Sequence, residues 1–113
     1  MACVPEAGDV VWLQFVPQAG HEQAGHRPAL VVSPASYNRI GLMLCCPMTT
    51  GVKGYPFEAP TAPGRPSDPT SVALADRVES LDWRALWAEW KGRATDMELA
   101  AVRARATALI RCS

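Results

Sequence analysis

The stretch Glu22-Gln23-Ala24-Gly25-His26-Arg27-Pro28 places polar and ionisable side chains directly before an apolar run at residues 29–32. A rigid strand of this kind can aim the side chains of a short loop at its end. Arg27 stands out because a guanidinium keeps its charge and forks onto phosphate or carboxylate oxygens. A structural role is the alternative, in which Pro28 begins the strand and Arg27 pairs with Glu22.

A hydroxyl pair, Thr49-Thr50, follows a second apolar run at residues 41–47. Cleavage of an RNA phosphodiester needs no external nucleophile, because the 2′-OH oxygen can attack the adjacent phosphorus. The protein must stabilise the extra negative charge on the phosphoryl oxygens and help to move protons. Arg27 and one of these threonines are sufficient for that chemistry if the strands bring them together. A plain turn is the alternative for the threonine pair.

Other chemistries lack the patterns that they need. The chain has no GxGxxG or GxxxxGK[ST] phosphate loop. No nucleophile-elbow context makes Ser33 or Ser36 with His26 a hydrolase triad. His21 and His26 beside Glu22 are too weak a pattern to predict a metal site, and the four cysteines have no CxxC spacing. We therefore expect neither a cofactor nor a metal.

The composition predicts one globular domain over residues 1–113, since 49% of the residues are hydrophobic and 19% are charged. The 11 Lys and Arg balance the 11 Asp and Glu, so no overall basic field indicates nucleic-acid binding. Residues 21–66 nevertheless carry a positive excess, with Arg27, Arg39, Lys53 and Arg65 against Glu22 and Glu58. With no signal peptide and no membrane-spanning run, we expect a soluble, cytoplasmic protein with reduced thiols.

The hydrophobic pattern predicts a sheet of short strands joined by irregular loops. Strands are expected at residues 10–15, 28–33, 41–47, 54–58, 71–75 and 77–81. The second of these is apolar on both faces, which predicts a central position in the sheet. Residues 16–25 and 59–70 are predicted loops because glycine, proline and polar residues dominate them.

The C-terminal part contains an ambiguous segment and a clear helix. Residues 82–93 hold tryptophans at helical spacing, yet Lys91-Gly92 equally suits a strand and turn, so both assignments stay open. Thr95 and Glu98 form a capping box. The helical stripe after it consists of Leu99, Val102, Ala106, Leu109 and Ile110. Arg103, Arg105 and Arg111 are expected to favour the dipole at its C-terminal end. We predict a small, partly open barrel with an amphipathic helix packed on it.

Five stretches in this order resemble the MazF/PemK/Kid family of toxin endoribonucleases, and the MazF branch most closely. They are Gly8-Asp9-Val10-Val11-Trp12, Glu22-Gln23-Ala24-Gly25-His26-Arg27-Pro28-Ala29, Pro47-Met48-Thr49-Thr50, Lys53-Gly54-Tyr55-Pro56-Phe57-Glu58 and Val72-Ala73-Leu74-Ala75-Asp76. The resemblance covers nearly the whole chain, and residues 86–93 are its least similar part. It implies a mainly β, α+β fold: an SH3-like barrel of the MazF/CcdB/Kid type with a C-terminal amphipathic helix.

The resemblance implies the toxin of a type II toxin–antitoxin system. A toxin of this kind is an mRNA interferase, an endoribonuclease that cuts single-stranded RNA at short sequences without ribosomes or metal. The cut leaves 2′,3′-cyclic phosphate and 5′-OH ends, and it inhibits translation and growth. The implied catalytic residues are Arg27, which donates a proton or stabilises the phosphorane, Thr49, which hydrogen-bonds the phosphoryl oxygen, and Glu22, a proton acceptor. The implied RNA-binding residues are Gln23, His26, Lys53, His21 and Thr50. His21 departs from the small polar residue of similar proteins, which implies an altered base preference or pH response.

The resemblance also implies a homodimer and a MazE-like antitoxin whose flexible acidic tail covers the RNA groove. The tryptophan-rich segment favours dimerisation independently, because a partner can bury exposed apolar surface. Two alternatives stay open. One is a CcdB-like poison of DNA gyrase that cuts nothing and binds through the terminal helix, and the other is an inactive homologue that only binds antitoxin.

Overall fold

A computed structural model describes residues 3–15, 25–61 and 71–111. The strands in these ranges are β1 (Asp9–Phe15), β2 (Gly25–Val31), β3 (Leu42–Thr49), β4 (Glu58–Thr61), β5 (Ser71–Leu74), β6 (Glu79–Asp82) and β7 (Glu89–Arg93). The helices are α1 (Ala35–Asn38) and α2 (Asp96–Ile110), and a 3₁₀ turn spans Ala75–Arg77. No helix in the described ranges is long and apolar enough to cross a membrane.

The sheet is antiparallel, with the order β4-β5-β3-β2-β1-β7, and β6 also pairs with β3. Three strands pair with β3 at different points along its length. Its first half pairs with β6, its middle with β2 and its last two residues with β5. This exchange of partners curves the sheet into the predicted partly open barrel. The predicted central position of β2 is confirmed, because β2 lies between β1 and β3.

Two buried clusters lie on the two faces of β1 and β2, because successive strand residues point to opposite faces. One cluster contains Val10, Leu30, Cys46 and Val102 of α2, so the helix packs on this side. The other contains Val11, Leu13, Val31, Met43 and Trp83. The apolar character of both faces of the second predicted strand is explained by these two clusters.

The second predicted strand begins and ends earlier than expected. β2 spans Gly25–Val31 rather than residues 28–33, so Arg27 lies within the strand and not in a loop before it.

Two further predicted strand boundaries are wrong, and both errors fall beside the cavity described below. β3 continues past Pro47 to Thr49, because Met48 and Thr49 pair with Ala73 and Val72 of β5. Residues 54–57 are not a strand, and β4 occupies Glu58–Thr61 instead. β4 is an edge strand, where proline is tolerated because a missing N–H is not needed by a neighbour.

The ambiguous segment at residues 82–93 forms turns followed by β7, so the strand alternative is confirmed. Pairing with β1 decides the outcome, as Val11 lies opposite Trp90. Trp83 is buried and donates from Nε1 to the Asn38 carbonyl at 2.7 Å. Trp87 and Trp90 are instead 66% and 59% exposed, and Trp87 has a φ of 52°.

The capping box at the start of α2 is confirmed. The Thr95 N–H donates to Glu98 at 2.8 Å, and the Glu98 N–H donates to the Thr95 hydroxyl at 3.1 Å. The amphipathic stripe holds only in the first half, where Leu99 and Val102 are buried, whereas Leu109 and Ile110 are exposed.

The dipole role predicted for the helix arginines is wrong for Arg103 and Arg105. Arg103 donates to the Val32 carbonyl at 2.6 and 3.1 Å. Arg105 donates to the Pro56 carbonyl at 3.2 Å. Both side chains therefore attach the helix to the barrel, because each reaches a backbone carbonyl that lies outside the strands.

Candidate active site

The sheet register brings together the two residues on which the predicted chemistry depends. Ala29 of β2 lies opposite Pro47 of β3, so Arg27, two residues before Ala29, and Thr49, two residues after Pro47, belong to the same end of the paired strands. Thr49 is also paired on its other side with Val72 of β5. A guanidinium and a hydroxyl therefore stand on adjacent strands at one end of the barrel.

A cavity of about 460 Å³ lies at this end of the barrel. Its lining residues are Arg27, Pro28, Pro47, Met48, Thr49, Gly51, Lys53, Tyr55, Phe57, Glu58, Leu74 and Arg77. The volume falls within the usual range for small-molecule sites. Arg27, Thr49 and Lys53 are thus brought together as the sequence predicts.

The charged side chains that line this cavity are mostly cationic. Arg27, Lys53 and Arg77 are cationic and exposed, and Glu58 is the carboxylate among the lining residues. Glu58 is only 7% exposed and accepts from the Lys53 N–H, at 3.2 Å to each oxygen, and from the Gly54 N–H at 2.8 Å. These amide donors satisfy the hydrogen-bonding needs of the carboxylate, and three cationic side chains against one carboxylate give the described lining a positive net charge.

The Thr49 hydroxyl is oriented by the loop that follows β3. Its Oγ1 accepts from the Gly51 N–H at 3.0 Å. A hydroxyl has one hydrogen to donate and two lone pairs to accept with. Because the loop uses an acceptor position, the hydroxyl hydrogen remains available for an anionic oxygen in the cavity.

Two aromatic rings line the same cavity. The ring centroids of Tyr55 and Phe57 are 5.3 Å apart with an interplanar angle of 35°, and Tyr55 is 51% exposed. The Phe57 carbonyl accepts from the Ala75 N–H at 3.2 Å, which ties this segment to the 3₁₀ turn. Exposed rings beside cations are suited to stacking with unpaired bases.

The other predicted site residues stand apart or fall outside the description. His26 neighbours Arg27 on β2 but is not among the cavity residues. Its Nε2 lies 3.0 Å from Nε2 of Gln14, and its ring centroid lies 5.9 Å from that of Trp12. Thr50 is exposed directly after β3 and does not line the cavity. The remaining predicted residues, His21, Glu22 and Gln23, lie outside the described residues.

Arg77 is the cavity residue that sequence reasoning missed entirely. Glu58, Tyr55 and Phe57 belong to a stretch that carried the family resemblance, but no role followed from it. Arg77 closes the 3₁₀ turn after β5 and reaches the cavity because β5 pairs with the end of β3. The sequence did predict the strand that ends just before Asp76. It could not show that this strand pairs with the end of β3, because strand pairing depends on residues far apart in the chain.

A second, wider depression of about 900 Å³ runs along the outer face of α2. It is lined by Asp96, Leu99, Ala100, Arg103, Ala104, Thr107, Ala108 and Arg111. Among the described residues its lining has no aromatic ring, all of it comes from α2 and the residue that follows it, and the Arg103 guanidinium is already engaged by the Val32 carbonyl. We therefore place the candidate site in the smaller cavity.

The buried thiols beside the cavity strands are not nucleophiles. Burial raises the pKa of Cys45 to about 12, with the charge of Glu79 adding to the effect. Burial likewise raises the pKa of Cys46 to about 11, with Asp76 adding to it. Within residues 3–15, 25–61 and 71–111, no three His, Cys, Asp or Glu side chains are grouped as they would be around a metal ion.

Comparison with known proteins gives concordant results along the whole chain. The family model described as "PemK-like, MazF-like toxin of type II toxin-antitoxin system" matches residues 6–110. The "Endoribonuclease toxin MazF" of Escherichia coli K12 is 49% identical over 108 residues, covering 95% of each chain. "Endoribonuclease toxin ChpB" of the same strain is 36% identical over 94 residues, covering 80% of this chain and 81% of that protein.

A solved structure has the same fold. In the MazE–MazF crystal structure (Form-II) from Deinococcus radiodurans, a chain 52% identical to this one superposes with a TM-score of 0.87. The superposition covers 98% of this chain and 99% of that chain. The predicted SH3-like barrel with a C-terminal helix is confirmed.

Proposed function

Because this chain belongs to the PemK-like, MazF-like toxin family of type II toxin–antitoxin systems, we propose that it cleaves single-stranded RNA in the cavity that holds Arg27 and Thr49. The observation that carries the proposal is that Arg27 of β2 and Thr49 of β3, two neighbouring strands, line the same cavity. The endoribonuclease activity named for the E. coli MazF and ChpB proteins supports the reaction class.

The proposed reaction uses the nucleophile of the RNA itself. The 2′-oxygen attacks the adjacent phosphorus and the bond from phosphorus to the 5′-oxygen breaks, which leaves a 2′,3′-cyclic phosphate and a 5′-OH. Arg27 forks onto the phosphoryl oxygens as they gain charge, and Thr49 donates its hydroxyl hydrogen to one of them. Glu22 accepts the proton of the 2′-OH, and the departing 5′-oxygen takes up a proton from water to become the 5′-OH. No step is assigned to a metal.

RNA binding is proposed to extend from the scissile phosphate onto the surrounding surface. Lys53 contributes a point charge to the sugar-phosphate chain, and Tyr55 offers an exposed ring to a base. We assign the reading of bases to Gln23, His26, His21 and Thr50, the residues that the family resemblance implies for RNA binding. Specific reading of single-stranded RNA depends on such loop contacts to unstacked base edges.

We propose one toxin domain over residues 1–113 that functions in the cytoplasm as a homodimer and is inhibited by a MazE-like antitoxin. Structures of MazE–MazF complexes from D. radiodurans support the antitoxin partner. An acidic antitoxin tail would complement the positive cavity. Exposed large apolar side chains such as Ile40 and Ile110, at 65% and 79%, favour a second copy as a partner. Sedimentation at micromolar concentration should give a dimer, and a monomer would contradict this assignment.

The test is incubation of the purified protein with a long single-stranded RNA of mixed sequence in excess EDTA, followed by mapping of the new 5′ ends. We expect cuts at one short recurring sequence, with 5′-OH ends and with no activity in Arg27→Ala. Arg39→Gln, an exposed arginine outside the cavity, is the matched control.

The alternatives predict other outcomes in the same experiment. A folded protein that cuts no RNA but inhibits supercoiling would be a gyrase poison. One that is inert on every RNA yet binds an antitoxin peptide would be an antitoxin sink. The presence of both Arg27 and Thr49 in one cationic cavity favours the ribonuclease over either.

A further inference from the structure

We propose that Arg77 is a second phosphate-binding residue of this cavity, which holds the RNA strand on the side away from Arg27. The inference rests on the proposed function, since it names a further substrate contact of the same site. It assigns a role to a side chain that the catalytic chemistry does not use.

The strand order places Arg27 and Arg77 on different sides of β3. Arg27 belongs to β2, and Arg77 ends the 3₁₀ turn that directly follows β5, while β3 lies between these two strands. Thr49 stands on β3 itself. All three side chains line the same cavity. An RNA strand whose scissile phosphate lies at Arg27 and Thr49 therefore meets Arg77 where it leaves them across β3.

Among the described residues, none pairs with the charge of Arg77. Its side chain is exposed, and the described part of the chain gives its guanidinium neither an ion pair nor a hydrogen bond. The cavity carboxylate, Glu58, is already satisfied by the amides of Lys53 and Gly54. A charged fork that projects into a concave site without an internal partner is suited to an anionic ligand.

A phosphate is the RNA group that this arrangement favours. Reading a base edge requires a side chain held within narrow limits by neighbouring contacts, and none of the residues in the described ranges makes such a contact with Arg77. Phosphate contacts depend chiefly on charge and carry no sequence information. Arg77 should therefore strengthen binding equally for every RNA sequence that the site accepts.

The experiment compares Arg77→Gln with Arg39→Gln, a matched exposed arginine outside the cavity. Thermal unfolding verifies that both variants are folded. We expect Arg77→Gln to raise KM about tenfold with kcat unchanged, and to lower the slope of log affinity against log salt by about 0.7, the value for one contact to a single strand. The loss of affinity should be the same at every cut site.

Three results would overturn the inference. The first is an Arg77→Gln variant with the same KM and salt slope as Arg39→Gln. The second is a loss of affinity confined to cut sites with one particular base, which would indicate base reading. The third is a fall in kcat at constant KM. The salt slope is also measured by binding of an oligonucleotide with a 2′-deoxy sugar at the cut site. This readout needs no cleavage, so a wild-type protein that binds but does not cut would refute the proposed function while still testing Arg77. Absence of binding by the wild-type protein would refute both.

Discussion

The buried carboxylate of Glu58 accepts a 2.8 Å hydrogen bond from the backbone N–H of Gly54 and closes the segment between them into a loop. Gly54 has a φ of 83°, a conformation that a glycine adopts without steric cost. The Lys53 N–H donates to both oxygens of the same carboxylate. The loop that presents Lys53 and Tyr55 to the cavity is thus fixed by one side chain, that of Glu58. The carboxylate of Glu58 is bound by backbone N–H groups of the loop.

Glu58→Gln should disturb this loop and weaken RNA binding. An amide has one acceptor oxygen and cannot serve both N–H groups as a carboxylate does. We expect a loss of about 1–2 kcal/mol in the free energy of unfolding and a rise in KM of about fivefold with kcat nearly unchanged. Denaturant titration and steady-state cleavage measure the two effects. Glu89→Gln, on the exposed edge strand, is the control, and an equal effect there would contradict a positioning role for Glu58.

Thr49→Val should abolish most of the activity while leaving the strand intact. Valine keeps the branched shape of threonine and removes the hydroxyl that faces the phosphoryl oxygens. Loss of one such donor lowers kcat by about 100- to 1,000-fold. Thr49→Ser keeps the hydroxyl and should retain activity within about tenfold of the wild type. Single-turnover cleavage tests both variants, and full activity in Thr49→Val would remove Thr49 from the chemistry.

Thr95→Ala should destabilise the protein without affecting cleavage. The substitution removes the hydroxyl that accepts from the Glu98 N–H at the start of α2, which costs about 1 kcal/mol. Thr107→Ala, at an exposed position within the same helix, should cost nothing because alanine has the higher helix propensity. Urea unfolding measures both variants. Equal stability of the two would show that the capping box contributes nothing.

Stability should fall in alkaline solution because of the two buried thiols. Their pKa values are raised from 9.0 to about 12 for Cys45 and about 11 for Cys46, chiefly by burial. The unfolded chain loses these protons above pH 9 while the folded chain keeps them, so the free energy of unfolding decreases with rising pH by up to about 1.4 kcal/mol per unit for each thiol. Cys46→Ala should show a flatter decline between pH 9 and pH 11. An unchanged decline in that variant would contradict the assignment.

Local rules predicted much of the architecture and the chemistry-bearing positions. The apolar runs gave the central strand β2, the capping box gave the start of α2, and the resemblance gave the barrel. Arg27, Thr49 and Lys53 were singled out before the structure brought them into one cavity. The strand and the capping box depend on the residues of one short segment each, whereas the SH3-like form of the barrel and the role of Lys53 came from a resemblance carried by five stretches of the chain.

The failures concern residues whose positions depend on distant partners. Met48 and Thr49 are strand residues because β5 pairs with them, and residues 89–93 are a strand because β1 does. Arg77 joins the site through the first of these pairings. Arg103 points to Val32 rather than to the helix end because the Val32 carbonyl lies within its reach. Strand pairing over such separations cannot be derived from local propensity.

The most direct test of the central claim uses two RNA oligonucleotides that contain the mapped cut site. One is all-ribo, and the other has a single 2′-deoxy sugar at the nucleotide that supplies the proposed nucleophile. The account predicts that wild-type protein binds both with similar affinity and cleaves only the all-ribo strand, to a 2′,3′-cyclic phosphate and a 5′-OH. Cleavage of the 2′-deoxy strand at a comparable rate would contradict a 2′-OH attack assisted by Arg27 and Thr49.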